Sequence, residues 1–350
     1  MIKAFTRRNA WICSVVALGV VVIALMWILT QRNAVSKLTA SQFDNELSKN
    51  PKGLVQQEFP YERYTYKSPK FQVSHRLLAK QSLGAVESYS YLLRTFDGIE
   101  IPIILLRPSK PKPIGLITIP GHVKQGESGL EQLSRPDKPS YQHSAALHIA
   151  LAGYTTLVIE LRGFGRLGYP KFVDHRTVAY NALLRGSAYQ NIVLEDIRAA
   201  RSFMTAETGL PSSMIGVGGA SLGGELAVKY GAFDPQTPFI ISHSYGGQLE
   251  QPTIRLSDPE STPHLCHILA GDNSRYSQSD LLRMIAPRPL LMLRGARNTY
   301  ARMDFVQKVS KFWQRDSMTT IGVVANGRHE FFVDETLSFL RRLEGVVDEG

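Results

Sequence analysis

The sequence is poor in cysteine and has no dense run of basic residues. Only two cysteines occur in 350 residues, Cys13 and Cys266, so neither a disulfide framework nor a cysteine-based metal framework is expected. The formal net charge is +10, but the Lys and Arg residues are scattered and are not interleaved with aromatic residues. We interpret this charge as solvated surface and expect no nucleic-acid partner.

Long apolar runs are also scarce, and the single one present lies near the N-terminus. Residues 11–29 carry no charge and are almost wholly apolar, and about 20 such residues span a bilayer as a helix. More basic residues precede the run than follow it, which favours a cytoplasmic N-terminus. The sequence therefore predicts a short cytoplasmic segment over 1–10 and a transmembrane anchor over 11–30. The rest of the chain is then extracytoplasmic.

A cleavable signal peptide is the competing interpretation of the same run. Its apolar region would be shorter, about 7–15 residues, and a small-x-small cleavage site would follow it. The region around Asn33-Ala34 is a poor cleavage site, so we favour a single-pass membrane anchor. If cleavage did occur, the remaining chain would be secreted.

Regular patterning begins only after a polar stretch. Residues 31–84 predict a linker and an irregular lead-in, with a short helix near Ser41–Leu47. Two apolar segments then flank Asp97-Gly98 and predict a hairpin. Beyond it, strands are predicted in IGLITIP, TTLVIELRG, MIGVGG, FIISHS, PLLMLRG and TIGVVAN, the first two of them buried, with helical segments between most of them. This alternation predicts one α/β domain over 85–350, with a mainly parallel sheet and helices on both faces.

A serine lies at one of the predicted strand-to-helix turns. Residues 219–223 read GASLG, which fits G-x-S-x-G. The pattern alone is weak, but here it follows the strand MIGVG and opens the helix LGGELAVKYGA, which is the setting of a nucleophile elbow. We expect Ser221 to be exposed above the sheet, with the Leu222 N–H facing a developing oxyanion. A glycine-rich turn with an idle serine is the alternative.

The candidate base is His329, in the loop NGRHEFF after the last predicted strand. A loop at that sheet edge can place an imidazole beside the serine. The remaining histidines have weaker cases. His264 and His267 flank Cys266, but no second pair of ligands follows, so we expect structural roles and no metal or cofactor. Arg162 is expected to brace the loop beside the elbow, and Glu195 and Asp196 are interpreted as a solvated helix face or as salt-bridge partners.

The segment from about Tyr89 to Gly345 resembles the α/β-hydrolase superfamily, and within it the acetyl xylan esterase-like and dienelactone hydrolase-like members. The motifs that carry the resemblance stand in the expected order: PGH at 120–122, LRGFG at 161–165, GASLGG at 219–224, DLLRMIAPRPLLMLRG at 280–295 and GRHEFF at 327–332. The resemblance implies an α/β-hydrolase fold. It also implies that the loop containing His122 and Val123 supplies the second oxyanion N–H.

The sequence departs from the resemblance at the acid. An Asp is expected shortly after the strand PLLMLRG, but Asn298 occupies that position. An amide can orient a histidine but cannot stabilise the imidazolium by charge. Asp304, six residues later, and Glu250, after the preceding strand, are alternative acids, and a weak or inactive enzyme is the third possibility. We favour an active enzyme whose third member is relocated or substituted.

Together these features predict a membrane-anchored serine hydrolase. The expected reaction is hydrolysis of short acyl, acetyl-type carboxylic esters of small molecules or carbohydrates through an acyl-enzyme, and the oligomeric state stays open. A prolyl oligopeptidase-type peptidase is one alternative, although residues 31–88 are too few for its propeller. A catalytically silent binding protein on the same scaffold is the other.

Overall fold

The computed structural model describes residues 74–168, 174–245, 265–267, 278–298, 312–313 and 318–348. The predicted membrane segment, the linker and the helix near Ser41–Leu47 lie outside these residues. Among the described residues, no helix is both long and apolar enough to cross a membrane.

A nine-stranded sheet forms the centre of the described chain, in the order β1-β2-β3-β5-β4-β6-β7-β8-β9. The strands are β1 (His75–Leu83), β2 (Val86–Arg94), β3 (Glu100–Pro108), β4 (Gly115–Ile119), β5 (Thr155–Ile159), β6 (Ile215–Ala220), β7 (Ile240–His243), β8 (Leu290–Gly295) and β9 (Thr320–Val324). Strands β1 to β3 and the β3–β5 pair are antiparallel, whereas the pairs from β5 to β9 are parallel. The predicted mainly parallel sheet is therefore confirmed.

The hairpin predicted at Asp97-Gly98 is the β2–β3 pair. Arg94 pairs with Glu100 at its turn end, and Gly98 has a φ of 82°, a backbone conformation that glycine adopts readily. The expectation for the residues just before the hairpin was wrong, because β1 lies wholly within the stretch expected to be irregular. Nearly all of β1 is exposed, so it lacks the alternation of apolar and polar residues that would have indicated a strand.

Helices connect most of the parallel strands. Those described are α1 (Gly129–Ser134), α2 (Ala145–Leu151), α3 (His175–Leu184), α4 (Tyr189–Thr208), α5 (Leu222–Phe233), α6 (Gln278–Ile285) and α7 (Val333–Asp348). Helix α4 is long because its buried residues recur at helical spacing, and it ends at Gly209 with a φ of 74°, as predicted. Helix α3 was missed because its side chains are mostly exposed. Its N-cap, Asp174, accepts a hydrogen bond from the Thr177 N–H at 2.8 Å, a signal that the sequence does contain.

The helices form two contacting groups. Helix α2 contacts α7, while α5 contacts both α4 and α6. The chain steps from β4 outward to β5 and then crosses back to β6, so right-handed connections place the helices before and after this reversal on opposite faces. Strands β4, β5 and β6 are buried along their whole length, as expected for a sheet covered on both faces. The reversal point, between β4 and β6, is where a site is expected.

Candidate active site

Ser221 stands at the turn between β6 and α5 in a strained backbone conformation. Its φ is 58° and its ψ is −123°, a region that residues other than glycine rarely occupy and that costs about 1–3 kcal/mol. Two backbone hydrogen bonds hold it there: the Ser221 N–H donates to the His243 carbonyl at 2.9 Å, and the Glu225 N–H donates to the Ser221 carbonyl at 3.0 Å. This is the geometry predicted for a nucleophile elbow.

Glycines on both sides of the elbow allow backbones to approach closely. A Cβ at Gly121, in the loop after β4, would lie 2.6 Å from the Ala220 carbonyl oxygen and 3.0 Å from the Ser221 Cβ. A Cβ at Gly223, in the first turn of α5, would collide with the Ile119 carbonyl. The loop after β4 therefore packs directly against the serine because Gly121 carries no side chain.

His329 lies in the loop after β9, and the structure brings Asn298 to it. The Asn298 Oδ1 is 3.2 Å from the His329 Nδ1. Asn298 is only 5% exposed, and its backbone N–H donates to the Gly295 carbonyl at the end of β8. Because an amide oxygen only accepts hydrogen bonds, this contact places the proton of a neutral His329 on Nδ1 and the lone pair on Nε2.

Among the described residues, Asn298 and burial set the environment of the His329 ring. Burial lowers the pKa of His329 below its ordinary value. The neighbouring carboxylate of Glu330 is directed elsewhere, since it contacts the His143 Nε2 at 2.7 Å and accepts from the Arg328 N–H. Asp304 and Glu250, the alternative acids, lie outside the described residues. Asn298 is thus the contact the structure provides at the position expected for the acid.

Tyr141 connects the serine with the histidine, and it was not among the residues expected from the sequence. Its hydroxyl donates to the His122 carbonyl at 2.8 Å and lies beside the Ser221 side chain. Its ring centroid is 5.5 Å from that of His329, and its carbonyl accepts from the Phe331 N–H at 2.8 Å. Burial raises the Tyr141 pKa, so the phenol stays protonated. It stands in an irregular loop without a motif, so no sequence signal pointed to it.

The predicted oxyanion donors are backbone N–H groups at the start of α5 and in the loop after β4. Leu222 is the first residue of α5, where an N–H has no partner within the helix. In the opposite loop the Gly121 N–H is taken, because it donates to the Gln142 Oε1 at 3.1 Å. Of the predicted oxyanion donors, this leaves the N–H groups of Leu222, His122 and Val123 as candidates.

Two imidazole groups and one thiol group lie together at the loop after β4. The His122 Nε2 lies 3.1 Å from the Cys266 Sγ. One ligand atom each from His122, His175 and Cys266 fall within 4.8 Å of one another, so these three side chains could hold a metal ion. The pairing of His264 with His267 considered from the sequence is not what forms this group. His264 is outside the described residues, and the His267 Nδ1 contacts the Glu225 carboxylate.

Arg162 forms ion pairs with two carboxylates. Its guanidinium binds Asp196 on α4 at 2.7 Å and Asp97 in the β2–β3 turn at 3.0 Å. Asp196 is 2% exposed, so it is an ion-pair partner and not part of a solvated face. Glu195 pairs with Arg198 at 3.2 Å.

Three solved structures with similar folds carry esterase names. A protein of Bacteroides fragilis NCTC 9343 assigned as an acetyl xylan esterase matches with a TM-score of 0.64 at 16% identity, over 79% of this chain and 83% of its own. Acetyl xylan esterase 1 of Thermoanaerobacterium sp. JW/SL YS485 matches with a TM-score of 0.54 at 17% identity, over 78% and 89%. A glucuronoyl esterase of Solibacter usitatus matches with a TM-score of 0.53 at 15% identity, over 79% and 87%.

No protein-family model and no curated protein matches the sequence. Identities of 15–17% support a shared fold. The activity has to be argued from the residues of the site. The strand order, the elbow at Ser221 and these likenesses agree with one another: the described part of this chain has the α/β-hydrolase fold.

Proposed function

We propose that this protein is a carboxylic ester hydrolase that uses Ser221 as its nucleophile. The observation that carries the proposal is the strained backbone of Ser221, with a φ of 58° between β6 and α5. Strain of this kind persists where the surrounding structure enforces it, and it is concentrated at functional sites. An idle serine in that position would gain nothing from it.

In the proposed reaction Ser221 Oγ attacks the ester carbonyl carbon while His329 Nε2 takes the hydroxyl proton. The carbonyl oxygen becomes an oxyanion, which the N–H groups of Leu222 and of His122 or Val123 stabilise. His329 then returns the proton to the leaving alcohol. Water, deprotonated by His329, attacks the acyl-enzyme, and the acid and free Ser221 are released.

Asn298 is the proposed third member of the site. Its amide oxygen holds His329 in the tautomer whose lone pair is on Nε2, but it adds no charge to balance the imidazolium. In a serine protease with a Ser-His-Asp triad, replacing the Asp by Asn lowers turnover about 10⁴-fold. The proposed enzyme therefore works with a weaker base partner, unless Asp304 or Glu250 reaches the ring.

For the substrate we propose short acyl, acetyl-type esters of small molecules or carbohydrates. Support comes from the resemblance in the motifs and from the names of the esterases with similar folds. The proposed oxyanion loop, which is the loop after β4 with His122 and Val123, lies close to Ser221 because Gly121 packs against the serine. This close approach suits a compact acyl group. No cofactor enters this reaction.

The test is hydrolysis of nitrophenyl acetate, butyrate and octanoate by the purified full chain. We expect turnover that falls with acyl length, and loss of at least about 10³-fold in Ser221→Ala, since the nucleophile acts as a unit with its base. Ser187→Ala, at a serine between α3 and α4, is the matched control and should keep wild-type activity. Equal rates for wild type and Ser221→Ala would exclude the proposal.

A catalytically silent binding protein is the second candidate, and Asn298 is the observation that favours it. The two are separated by covalent labelling with an alkyl fluorophosphonate. An enzyme is modified at Ser221 in a ratio of one per chain, whereas a silent scaffold is not modified. Peptide amides, assayed alongside the esters, test the prolyl oligopeptidase-type alternative.

We further propose that residues 11–30 anchor the protein in a membrane and that the hydrolase domain is extracytoplasmic. Support comes from the uncharged apolar run and the basic residues before it. The full chain should stay with the membrane fraction after alkaline carbonate extraction, and its domain should be open to protease from the outer side. Release as a soluble, shortened chain would instead support a cleaved signal peptide.

A further inference from the structure

We propose that His122, His175 and Cys266 form a binding site for a zinc-type divalent cation behind the oxyanion loop. The three residues come from separate parts of the chain: the loop after β4, the first residue of α3, and a short 3-10 turn over Leu265–His267. Sequence spacing could not reveal them, which is why no metal was expected from the sequence.

The donor atoms suit zinc in kind and in distance. Imidazole nitrogen and thiolate sulfur are its preferred ligands, at about 2.0–2.1 Å and 2.3 Å, which separates two tetrahedral ligand atoms by about 3.5 Å. The His122 Nε2 and Cys266 Sγ are 3.1 Å apart, and all three donor atoms lie within 4.8 Å of one another. Small side-chain rotations therefore bring the three to bonding distance.

Packing holds the ligands in place. The His175 ring stacks on Phe164, with centroids 4.4 Å apart and planes 10° apart. The His122 ring stands edge-on to the same Phe164 at 5.5 Å. Cys266 is fully buried. Ligands whose orientation is already fixed lose little entropy when a metal binds.

Polar contacts hold the turn that carries Cys266 against α5. The His267 imidazole contacts the Glu225 carboxylate, and the Lys229 ammonium donates to the His267 carbonyl at 3.3 Å. Both Glu225 and Lys229 are buried. Glu225 is engaged by these groups, so the proposed ligand set is two imidazoles and one thiolate, with a fourth position for water or another small ligand.

A cavity of about 290 Å³ reaches the group from the side of the oxyanion loop. Its lining includes Val123, Phe164 and His175. It offers an access route for a hydrated ion, and space for the fourth ligand. When the ion binds, the Cys266 S–H bond breaks, the sulfur electron pair binds the metal, and the proton passes to solvent.

Metal binding would also affect the proposed active site. His122 is next to Gly121, and its carbonyl accepts the Tyr141 hydroxyl that contacts Ser221. A metal on the His122 ring therefore restrains the loop that is proposed to stabilise the oxyanion. This consequence depends on the proposed ester hydrolysis, whereas the binding itself is measured without it.

The experiment titrates the metal-free full chain with Zn²⁺ against a chromophoric chelator and with Co²⁺ by absorption. We expect one Zn²⁺ per chain, and Co²⁺ spectra with a thiolate charge-transfer band and the intense visible bands of four-coordination. Cys266→Ser and His175→Gln should each weaken Zn²⁺ binding at least about 100-fold, because even outer-shell changes cost about 10–100-fold. Mg²⁺, which prefers oxygen ligands, should not compete.

His148→Ala is the matched control, since it removes an exposed histidine that is not part of the group, and it should bind Zn²⁺ like the wild type. Circular dichroism of each metal-free variant checks the fold, and His175→Gln, at a half-buried position, keeps the test valid if Cys266→Ser unfolds. Absence of the thiolate band in the wild type would overturn the proposal. So would Zn²⁺ affinity unchanged in both folded variants, and Cys266 would then be a packed thiol hydrogen-bonded to His122.

Discussion

At the residue scale, the partner of His329 is the main chemical question. Asn298 fixes the tautomer of the ring through the 3.2 Å contact to Nδ1, and burial lowers the His329 pKa. Because its pKa is lowered, the ring stays neutral down to a lower pH. The neutral ring is the form that can accept a proton. The acidic limb of kcat/KM for ester hydrolysis should therefore lie below the ordinary histidine value of about 6.5.

Asn298→Asp is predicted to change both the rate and this pH limb. A carboxylate beside Nδ1 favours the imidazolium, so the His329 pKa rises and the acidic limb moves to higher pH. Turnover of nitrophenyl acetate should increase by at least about 10-fold, the reverse in direction of the loss seen when Asn replaces Asp in a serine protease.

Asn326→Asp is the control for this change, because it adds the same charge at an exposed position three residues before His329. Its rate and pH profile should stay within about 2-fold of the wild type, as expected for a solvated charge. If a folded Asn298→Asp is no faster and its pH limb does not move, the acid comes from elsewhere. Asp304→Asn and Glu250→Gln would then identify it.

At the element scale, the site depends on how closely the loop after β4 approaches the start of α5. Both carry backbone groups of the proposed oxyanion hole, and the contact of Gly121 with Ala220 and Ser221 sets their separation. The Gln142 side chain also holds the loop through the Gly121 N–H. Hence catalysis should depend on the geometry of this loop as well as on the serine.

Gly121→Ala is predicted to impair catalysis. The added methyl would meet the Ala220 carbonyl oxygen at 2.6 Å, so the loop must move away from the elbow. A displacement of about 1 Å at a catalytic group can cost about 100-fold, and we expect a fall of that order in kcat/KM for nitrophenyl acetate.

The matched control is Gly345→Ala on α7, where the new methyl meets nothing within 4 Å. Alanine favours a helix over glycine, so this variant should keep full activity and lose no stability. Wild-type kcat/KM in Gly121→Ala would show that the loop does not form part of the site.

At the scale of the whole molecule, one arginine joins the antiparallel hairpin to the helical layer. Arg162 binds Asp97 in the β2–β3 turn and Asp196 on α4, and both Arg162 and Asp196 are buried. Removing the arginine would leave the Asp196 carboxylate buried without its main partner. Breaking a buried ion pair in this way costs about 3–5 kcal/mol.

Arg162→Gln is therefore predicted to lower the free energy of unfolding by that amount, measured by urea denaturation. Arg135→Gln is the matched control, because Arg135 pairs with Asp137 at the exposed surface, where an ion pair contributes about 1 kcal/mol or less. Similar losses in the two variants would show that Arg162 is not a stabilising link between the layers.

Most elements of the fold could be predicted from local pattern. Buried parallel strands such as β4 and β6 are continuous apolar runs, and α4 shows helical spacing that ends at Gly209. Strand β1 and helix α3 could not be predicted in the same way, since their side chains are largely exposed. Such elements are stabilised by backbone pairing and capping. These interactions produce little hydrophobic periodicity in the sequence.

The sequence by itself determined the order of most strands and helices and the serine at the turn after β6, because both follow from local apolar periodicity and from small residues at a sharp turn. Tertiary structure alone decided which side chains meet. It brought Asn298 to His329, Tyr141 to Ser221, and His122 to Cys266. These partners lie tens of residues or more apart in the chain, and their contacts depend on the sheet gathering its loops at one edge.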